Sequence, residues 1–472
     1  MVCASLSGDA QTPDFSYGDH TMRDAEAPTP MSSANIDAPK GSTKAMVLFI
    51  LVLVYTFNFI DRQILGILAG PIKAELHLDD EHLGWMSGPS FALFYTAMGI
   101  PIAWLADRYN RVAIVSISLA TWSFFTALCG LTIVIAAWIA PYATSFMGVT
   151  MAFWILFLAR VGVGVGEAGG VAPSYSLIAD YFPPAERARA LSIFSFGIPI
   201  GSALGVLFGG LLAAKIHWTW AFIIVGGAGF FLAPLMWWLV KEPKRGQLDT
   251  PGVKPEAPPF TSVLKELSAK PSFWLLSFGA SASSIMGYGL IFWLPSYFER
   301  SLGMPLIDRS YYYASILFIG GVAGIWLGGW LADKLGQANK TVYALAPAVA
   351  FILTAPLYVA AVNTQDWALA FVLFMIPQAL ALVWIGPVVA GVQGLVRPGA
   401  RALASAIFLF INNLIGIGLG SLLIGMISKS FAAAYGAESL RMAILYCLGF
   451  YVVAAVLMLL AARTINRDWN KA

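Results

Sequence analysis

Four charged residues stand inside long apolar runs of this chain. Asp61 and Arg62 lie in Tyr55-Thr-Phe-Asn58-Phe-Ile-Asp61-Arg62-Gln63, and Arg160 and Glu167 open and close Arg160-Val-Gly-Val-Gly-Val-Gly-Glu167. An ionised group so placed costs at least a few kcal/mol in hydrocarbon, so each must face protein, water or a counter-charge. A carboxyl group there can exchange a proton, because desolvation opposes its charge and a neighbouring guanidinium favours it. Asp61 and Glu167 are therefore the candidate proton sites, with Arg160 as their charge partner. Arg62 can grip two oxygens of a carboxylate or phosphate and stays charged at any working pH, which suits an anion clamp. Asn58, one turn earlier on the same face, can take a further oxygen.

The elements that carry these residues follow from composition. Hydrophobic residues make up 59% of the 472 and charged residues 11%, against about a quarter charged in soluble domains. Apolar runs of roughly 20 residues match the length a helix needs to cross a bilayer. Spans are expected at Met46 to Leu68, Leu83 to Ala106, Val112 to Ala140, Phe146 to Ile178, Leu191 to Ala214 and Trp220 to Val240. Six more start near Phe273, Tyr311, Val342, Trp367, Ala402 and Met442. The expectation is an all-α membrane protein of twelve transmembrane helices in two pseudo-symmetric six-helix bundles. It divides into a disordered cytoplasmic tail (1–45), an N-terminal bundle (46–240), a cytoplasmic linker (241–271), a C-terminal bundle (272–463) and a short tail (464–472). Met31 offers a second possible start. Phe260, Val263, Leu264 and Leu267 fall at helical spacing among charges in the linker, which predicts an amphipathic interfacial helix.

Lysine and arginine set the orientation. With both termini on one side, that side holds 20 of the basic residues and the other 6, the remaining two being Arg62 and Arg160. The positive-inside rule then places both termini in the cytoplasm. A bacterial inner membrane is the expected location.

The two halves repeat. Ala103-Trp-Leu-Ala-Asp107-Arg108 after the second span returns as Gly329-Trp-Leu-Ala-Asp333-Lys334, offset by 226 residues, and Pro184-Ala-Glu-Arg187 returns as Pro398-Gly-Ala-Arg401, offset by 214. The first half therefore carries about a dozen extra residues between these landmarks, and 131–146 is where they fit. Applied to the buried charges, the offsets pair Asp61 with Gly287, Arg62 with Tyr288, Arg160 with Phe374 and Glu167 with Ala381. No charge in the second half matches. An apolar substrate wall facing a charged first half explains this asymmetry, with Tyr288, Phe292, Trp293, Trp384 and Phe408 as its candidate aromatics and Asn412 and Asn413 as polar lining. A static ion network between spans one and four would leave the asymmetry without purpose.

Arg160 and Glu167 share a helix face but are separated by about 10 Å of rise, so each is expected to partner span one or the substrate. Asp61 and Arg62 point about 100° apart on their helix. An ionised Asp61 is nonetheless expected to compete with an anion for Arg62, coupling proton to substrate. The stripes Gly162, Gly166, Gly170 and Gly201, Gly205, Gly209 permit close helix contact. Gly164-Val-Gly-Glu-Ala-Gly169 copies a dinucleotide-binding pattern but sits deep in an apolar helix, so it carries no such meaning.

The loop Asp107-Arg108-Tyr-Asn-Arg111, with its echo Asp333-Lys334-Leu-Gly336, resembles the loop motif of the major facilitator superfamily. It departs at Ala103, Asn110 and Val112, where the motif has two glycines and a further basic residue. The resemblance implies the major facilitator fold and a state-dependent contact at Asp107, Arg108, Arg111, Asp333 and Lys334. Asp61-Arg62 of span one together with Arg160 to Glu167 of span four is similar to the spinster family of lysolipid transporters. That resemblance implies proton coupling and recognition of an anionic lipid headgroup, although the connection between spans three and four is longer than the family's.

The expected function is proton-coupled secondary transport, by alternating access, of anionic amphipathic lipids of the lysophospholipid or sphingoid-phosphate type. The alternative is a proton-coupled exporter of drugs or small organic anions. A receptor or scaffold without transport would not need two related halves and buried carboxylates. The expected partners are an anionic lipid-like substrate, protons and the bilayer, with the chain as a monomer. A net charge of +3 on this length does not suggest nucleic acid. No catalytic triad, phosphate loop or metal-ligand spacing is present, so neither enzymatic chemistry nor a cofactor or metal is expected. Single cysteines replacing Gly246 and Gly436 should label from opposite sides of the membrane; labelling from one side would overturn the topology.

Overall fold

Span one begins the described part of the chain. The computed structural model describes residues 41–246, 248, 259–336 and 338–470, and its first helix starts at Gly41 and runs to Ile67. Residues 41–45, expected in the tail, are thus helical, and the rest of the expected tail lies outside the described residues. Spans two to ten are Asp80–Ala106, Arg111–Gly130, Met151–Tyr181, Arg189–Lys215, Trp218–Leu239, Pro271–Arg300, Leu306–Leu335, Val342–Val362 and Trp367–Gly394. A final apolar stretch, Arg401–Asp468, is 68 residues long, several times what one crossing requires. It turns at Gly436, where φ is +54°, and so supplies span eleven (Arg401–Tyr435) and span twelve (439–468). The last helix reaches Asp468, past the expected end of the bundle at 463.

One expected span divides. Val112 to Ala140 reads as one apolar run, but the helix stops at Gly130 and a second one, Thr132–Ile139, follows. The Thr132 hydroxyl donates to the Cys129 carbonyl at 2.7 Å across this break. A two-residue antiparallel hairpin pairs Ser145–Phe146 with Val149–Thr150 before span four begins at Met151. Hydropathy alone cannot show such a break, because both pieces are apolar.

In the first half, span one lies on span five, span three on spans four and six, and span four on span two. In the second, span seven lies on spans eleven and twelve, span nine on ten and twelve, and span eight on ten. The halves meet through spans one and seven, two and eleven, and five and eight. This is the contact set that a two-fold axis exchanging the halves requires. The glycine stripes set the spacing: a Cβ at Gly205 would stand 2.6 Å from the Ile60 carbonyl oxygen, and one at Gly166 2.5 Å from the Trp122 backbone nitrogen. In a bilayer, helices associate by such close packing rather than by hydrophobic expulsion. The linker helix forms at Phe260–Ser268, with Val263 and Leu267 fully buried against the bundle and Phe260 exposed.

The halves are clamped at the side away from Gly41 and Asp468. Asp80, at the first turn of span two and 4% exposed, accepts from both terminal nitrogens of Arg300 (2.7 and 2.8 Å), from Lys73 (2.5 Å) and from the Ser428 hydroxyl (2.7 Å). Arg300 and Ser428 belong to the second half. Lys429 adds ion pairs to Asp79 at 2.9 Å and Glu81 at 2.7 Å. Burial pushes the Asp79 carboxyl up, but the hydrogen bond from the His82 backbone N–H and the Lys429 ammonium outweigh it and leave it below its ordinary value. Asp79 thus stays ionised at neutral pH, and its contribution is lost only as pH falls through that lowered value. Below the clamp, Gly84 packs on Leu422 and Gly88 on Gly418. Further along span two, Leu93, Ile100 and Trp104 are each more than half exposed. Breaking a buried charge cluster on one side costs a few kcal/mol. Asp80→Asn should therefore raise, by about tenfold or more, the labelling of a cysteine replacing Ser87 by an impermeant reagent from the clamped side. Unchanged labelling would show that Asp80 does not hold this side shut.

Candidate functional site

Asp61 and Arg62 leave the helix in different directions, as neighbours must, and meet different partners. The Arg62 Nε donates to Glu167 Oε2 at 2.7 Å. Asp61 accepts from the Thr126 hydroxyl at 2.6 Å and pairs with Arg160 at 3.5 Å. The four charges thus form two crossed pairs between spans one and four, with Thr126 of span three as an added donor. The carboxylate that competes for Arg62 is Glu167 and not its neighbour Asp61, because the turn of the helix aims Asp61 away. Asp61, Arg160 and Glu167 are all at most 2% exposed.

The guanidinium of Arg62 is caged by rings, 5.1 Å from the centre of Phe59, 4.8 Å from Phe91 and 4.8 Å from Tyr95. Such rings hold a cation without neutralising it. The Arg160 guanidinium lies 5.7 Å from the Phe91 ring, so the same phenyl serves both arginines.

A cavity, partly open to the outside, lies between the halves. Arg62 and Arg160 line it, and their carboxylate partners Asp61 and Glu167 do not. The expected wall residues divide. Tyr288, Phe292 and Trp384 line the cavity. Trp293 and Phe408 do not: the Trp293 indole donates to the Ser421 carbonyl at 2.8 Å, and Phe408 packs edge-on against Trp384. Asn412 is set back, its side-chain oxygen accepting from the Ser284 hydroxyl at 2.9 Å, and Ser284 reaches the cavity in its place. Asn58 is fully buried and also outside the lining, and its amide has no hydrogen-bond partner among the described residues.

Sequence reasoning passed over the uncharged polar lining, Gln63, Ser87, Ser202 and Gln378, and the apolar lobe formed by Ile198, Pro199, Leu317, Ile325, Leu382 and Ile385. Gln63 carried a signal, being the next polar residue after Arg62. The small hydroxyls carried none, since serine is common in spanning helices. Buried charge was also missed at Asp80, Arg111, Asp180 and Arg309, which sit near span ends where a sequence reads them as loop residues.

Both functional spans are interrupted at matching depth. The helix in span four stops at Glu167 and resumes at Val171, and the helix in span ten stops at Leu380 and resumes at Ile385. By the 214-residue offset, Glu167 and Ala381 occupy equivalent positions at these breaks. Discontinuous helices at mid-membrane supply the backbone freedom on which transport sites are built. Here the first half places its ion pair at the break and the second half places Leu382 and Trp384.

Residues 51–421 match the model of the Major Facilitator Superfamily. The chain belongs to that superfamily. Within it the chain groups with the spinster proteins: it is 28% identical to "Protein spinster homolog 1" of Xenopus tropicalis, covering 90% of this chain and 82% of that one. It is also 31% identical to an "MFS-type efflux pump" of Mycolicibacterium smegmatis, covering 89% and 92%. A crystal structure of a bacterial homolog to the human lysosomal transporter Spinster, inward-facing and unoccupied, matches with a TM-score of 0.80 and 33% identity, covering 92% of this chain and all of that one. The occupied inward-facing form matches with a TM-score of 0.77.

The superfamily loop motif splits by position. Arg111, 1% exposed, pairs with Asp180 at 2.5 Å and Glu242 at 2.7 Å, and its Nη1 also donates to the Ser176 hydroxyl at 2.8 Å. Glu242 accepts as well from the backbone N–H groups of Arg111 and Val112, and Asn110 caps Ala113, so span three is anchored to spans four and six by its first turn. Arg108 instead lies over the Trp104 ring at 3.9 Å, mirrored by Lys334 over Trp330 at 5.1 Å, while Asp107 and Asp333 are exposed. The carboxylate at the span three N-terminus is Glu242, while Asp107, just past the last residue of span two, is exposed. Arg111→Met should destabilise the purified protein by about 3–5 kcal/mol, since it removes the guanidinium that pairs with both Asp180 and Glu242. Arg108→Ala should leave thermal unfolding in detergent near the parent value. Equal midpoints for the two variants would refute the division of roles.

Proposed function

We propose that this chain is a proton-coupled secondary transporter of anionic amphipathic molecules, of the lysophospholipid or sphingoid-phosphate type, working by alternating access with both termini in the cytoplasm of a bacterial inner membrane. One observation carries the reading: the arginines of both ion pairs, Arg62 and Arg160, line the central cavity, while their carboxylate partners, Glu167 and Asp61, do not. An anion entering the cavity meets two guanidinium groups, and each is already held by a carboxylate that a proton can neutralise. Protonation of Glu167 releases Arg62 to the substrate, and loss of that proton reclaims it. Asp61 and Arg160 form the second such pair. Substrate and proton are thereby linked through a shared partner.

The opposite wall suits the rest of such a substrate. Leu317, Ile325, Leu382 and Ile385 of the second half, joined by Ile198 of span five, make an apolar lobe for a chain, and Ser283, Ser284 and Gln378 line the same cavity as polar groups. The clamp at Asp80 closes the far side, which with cytoplasmic termini gives an inward-facing state. The contacts at Asp80, Arg300 and Lys429 would have to break in the outward-facing state, which is the rigid-body switch such folds use.

The similarity to an efflux pump supports a second reading, a proton-coupled exporter of drugs or small organic anions. Flux of an anionic lysolipid against that of small organic anions, in liposomes with and without a pH gradient, separates the two.

Glu167→Gln and Asp61→Asn should fold normally and abolish the pH dependence of flux; a full pH-driven response in both would make the pairs structural. Arg62→Ala should weaken binding of an anionic lysolipid by at least about tenfold and leave a neutral analogue of equal chain length unchanged, with Arg62→Lys in between. Equal losses for the two ligands, or none, would remove Arg62 from the headgroup site.

A further inference from the structure

We infer that the connection between spans three and four is embedded in the membrane leaflet on the clamped side, rather than projecting into water. The first observation is chemical. No residue between Arg111 and Arg160 is charged, and none is histidine, a run of 48 residues. Every other connection on that side carries charge, at Asp79, Lys215, Asp308, Asp366 and Glu438 respectively. Loops in water are solvated by charged and polar groups, and this one has only Thr, Tyr and Ser.

The second observation is geometric. The connection is built and held, not loose. The Thr132–Ile139 helix packs on span four, with Ile133, Val149 and Ala152 against the core. The hairpin is tied down by the Trp154 indole, which donates to the Phe146 carbonyl at 2.9 Å while its ring meets Phe146 edge-on. Met147 and Gly148 turn it, with φ of +52° and +77°. What this fixed scaffold presents outward is apolar: Val134, Trp138, Tyr142, Phe146 and Met147 are 53%, 79%, 89%, 57% and 77% exposed.

A patch of that size and composition in water would be a serious aggregation hazard. It is continuous with the lipid-facing surface of spans three and four, where Phe124 and Leu158 are exposed by 55% and 61%. Trp138 and Tyr142 are the residue types that settle at the headgroup level, where the ring is buried and its polar atom stays wet. The helix carries no charged face, so it enters the interface by burial of apolar area and not by attraction to anionic lipid. The occupant of the patch is therefore the bilayer itself. The dozen residues that the second half lacks become an anchor that fixes spans three and four in that leaflet.

The test uses Tyr142→Cys and Met147→Cys, each labelled with bimane in a full-length background without Cys3, Cys129 and Cys447. Gly436→Cys, in the exposed turn between spans eleven and twelve, is the reference. The protein sits in nanodiscs of phosphatidylcholine, with or without a nitroxide near the top of the acyl chain, at one copy per disc. Nitroxide quenching at both positions about threefold or more above that at Gly436, with iodide quenching correspondingly weaker, is the expected result. Iodide quenching equal to that at Gly436 would put the connection in water and overturn the inference. Shielding from iodide that arises only in discs holding two copies would assign the surface to a second chain, and would overturn it too.

Discussion

An ionised side chain in the middle of a bilayer must be neutralised by another within a few ångströms, and the rest of this molecule is arranged around two such pairs. Arg62 with Glu167 and Arg160 with Asp61 cross between spans one and four. For the four groups to meet, span four must lie close to spans two and three, which Gly162, Gly164 and Gly166 allow by removing the side chains that would hold the helices apart. The same crossing turns both guanidiniums toward the centre and both carboxylates away from it. The positive character of the cavity is thus a consequence of how the charges had to be satisfied.

The two-fold relation of the halves makes the departures from it informative. Both halves interrupt a helix at equivalent depth, in span four after Glu167 and in span ten after Leu380. The backbone device is shared, but the chemistry hung on it is not. One half supplies charge and the other supplies Leu382, Trp384 and Ile385. A cavity with one charged wall and one apolar wall orients any amphipathic molecule that enters it.

Closure at one side completes the picture. The cluster at Asp80 joins the halves through charge-assisted hydrogen bonds that are strong at short range and vanish on separation of a few ångströms. Packing along Gly84 and Gly88 against span eleven is equally all-or-none. Contacts of this kind make two discrete arrangements rather than a continuum. By contrast, the pairs of Arg111 with Asp180 and Glu242 join first-half spans to the start of the linker and include no residue of the second half, so they need not change when the halves move.

Much of this was legible from the chain. Apolar run length counted the crossings, the two offsets exposed the repeat, and only four charges lay deep in apolar runs. Those are local quantities, set by a helical rise of about 1.5 Å per residue and by the energy of charge in hydrocarbon. Helical periodicity could also say that Asp61 and Arg62 diverge. It could set span four against span one, but it could not say which carboxylate each arginine would find. Glu167 as the partner of Arg62, the burial of Asn58 and Asn412 behind the lining, the capping of span three by Glu242, and the clamp from Asp80 to Arg300 across 220 positions all depend on how the spans are placed beside one another. The sequence determined which residues must be paired, because desolvation acts on each of them alone. Only the tertiary structure decided with whom, because a side chain's partner is fixed by the packing of helices distant in sequence.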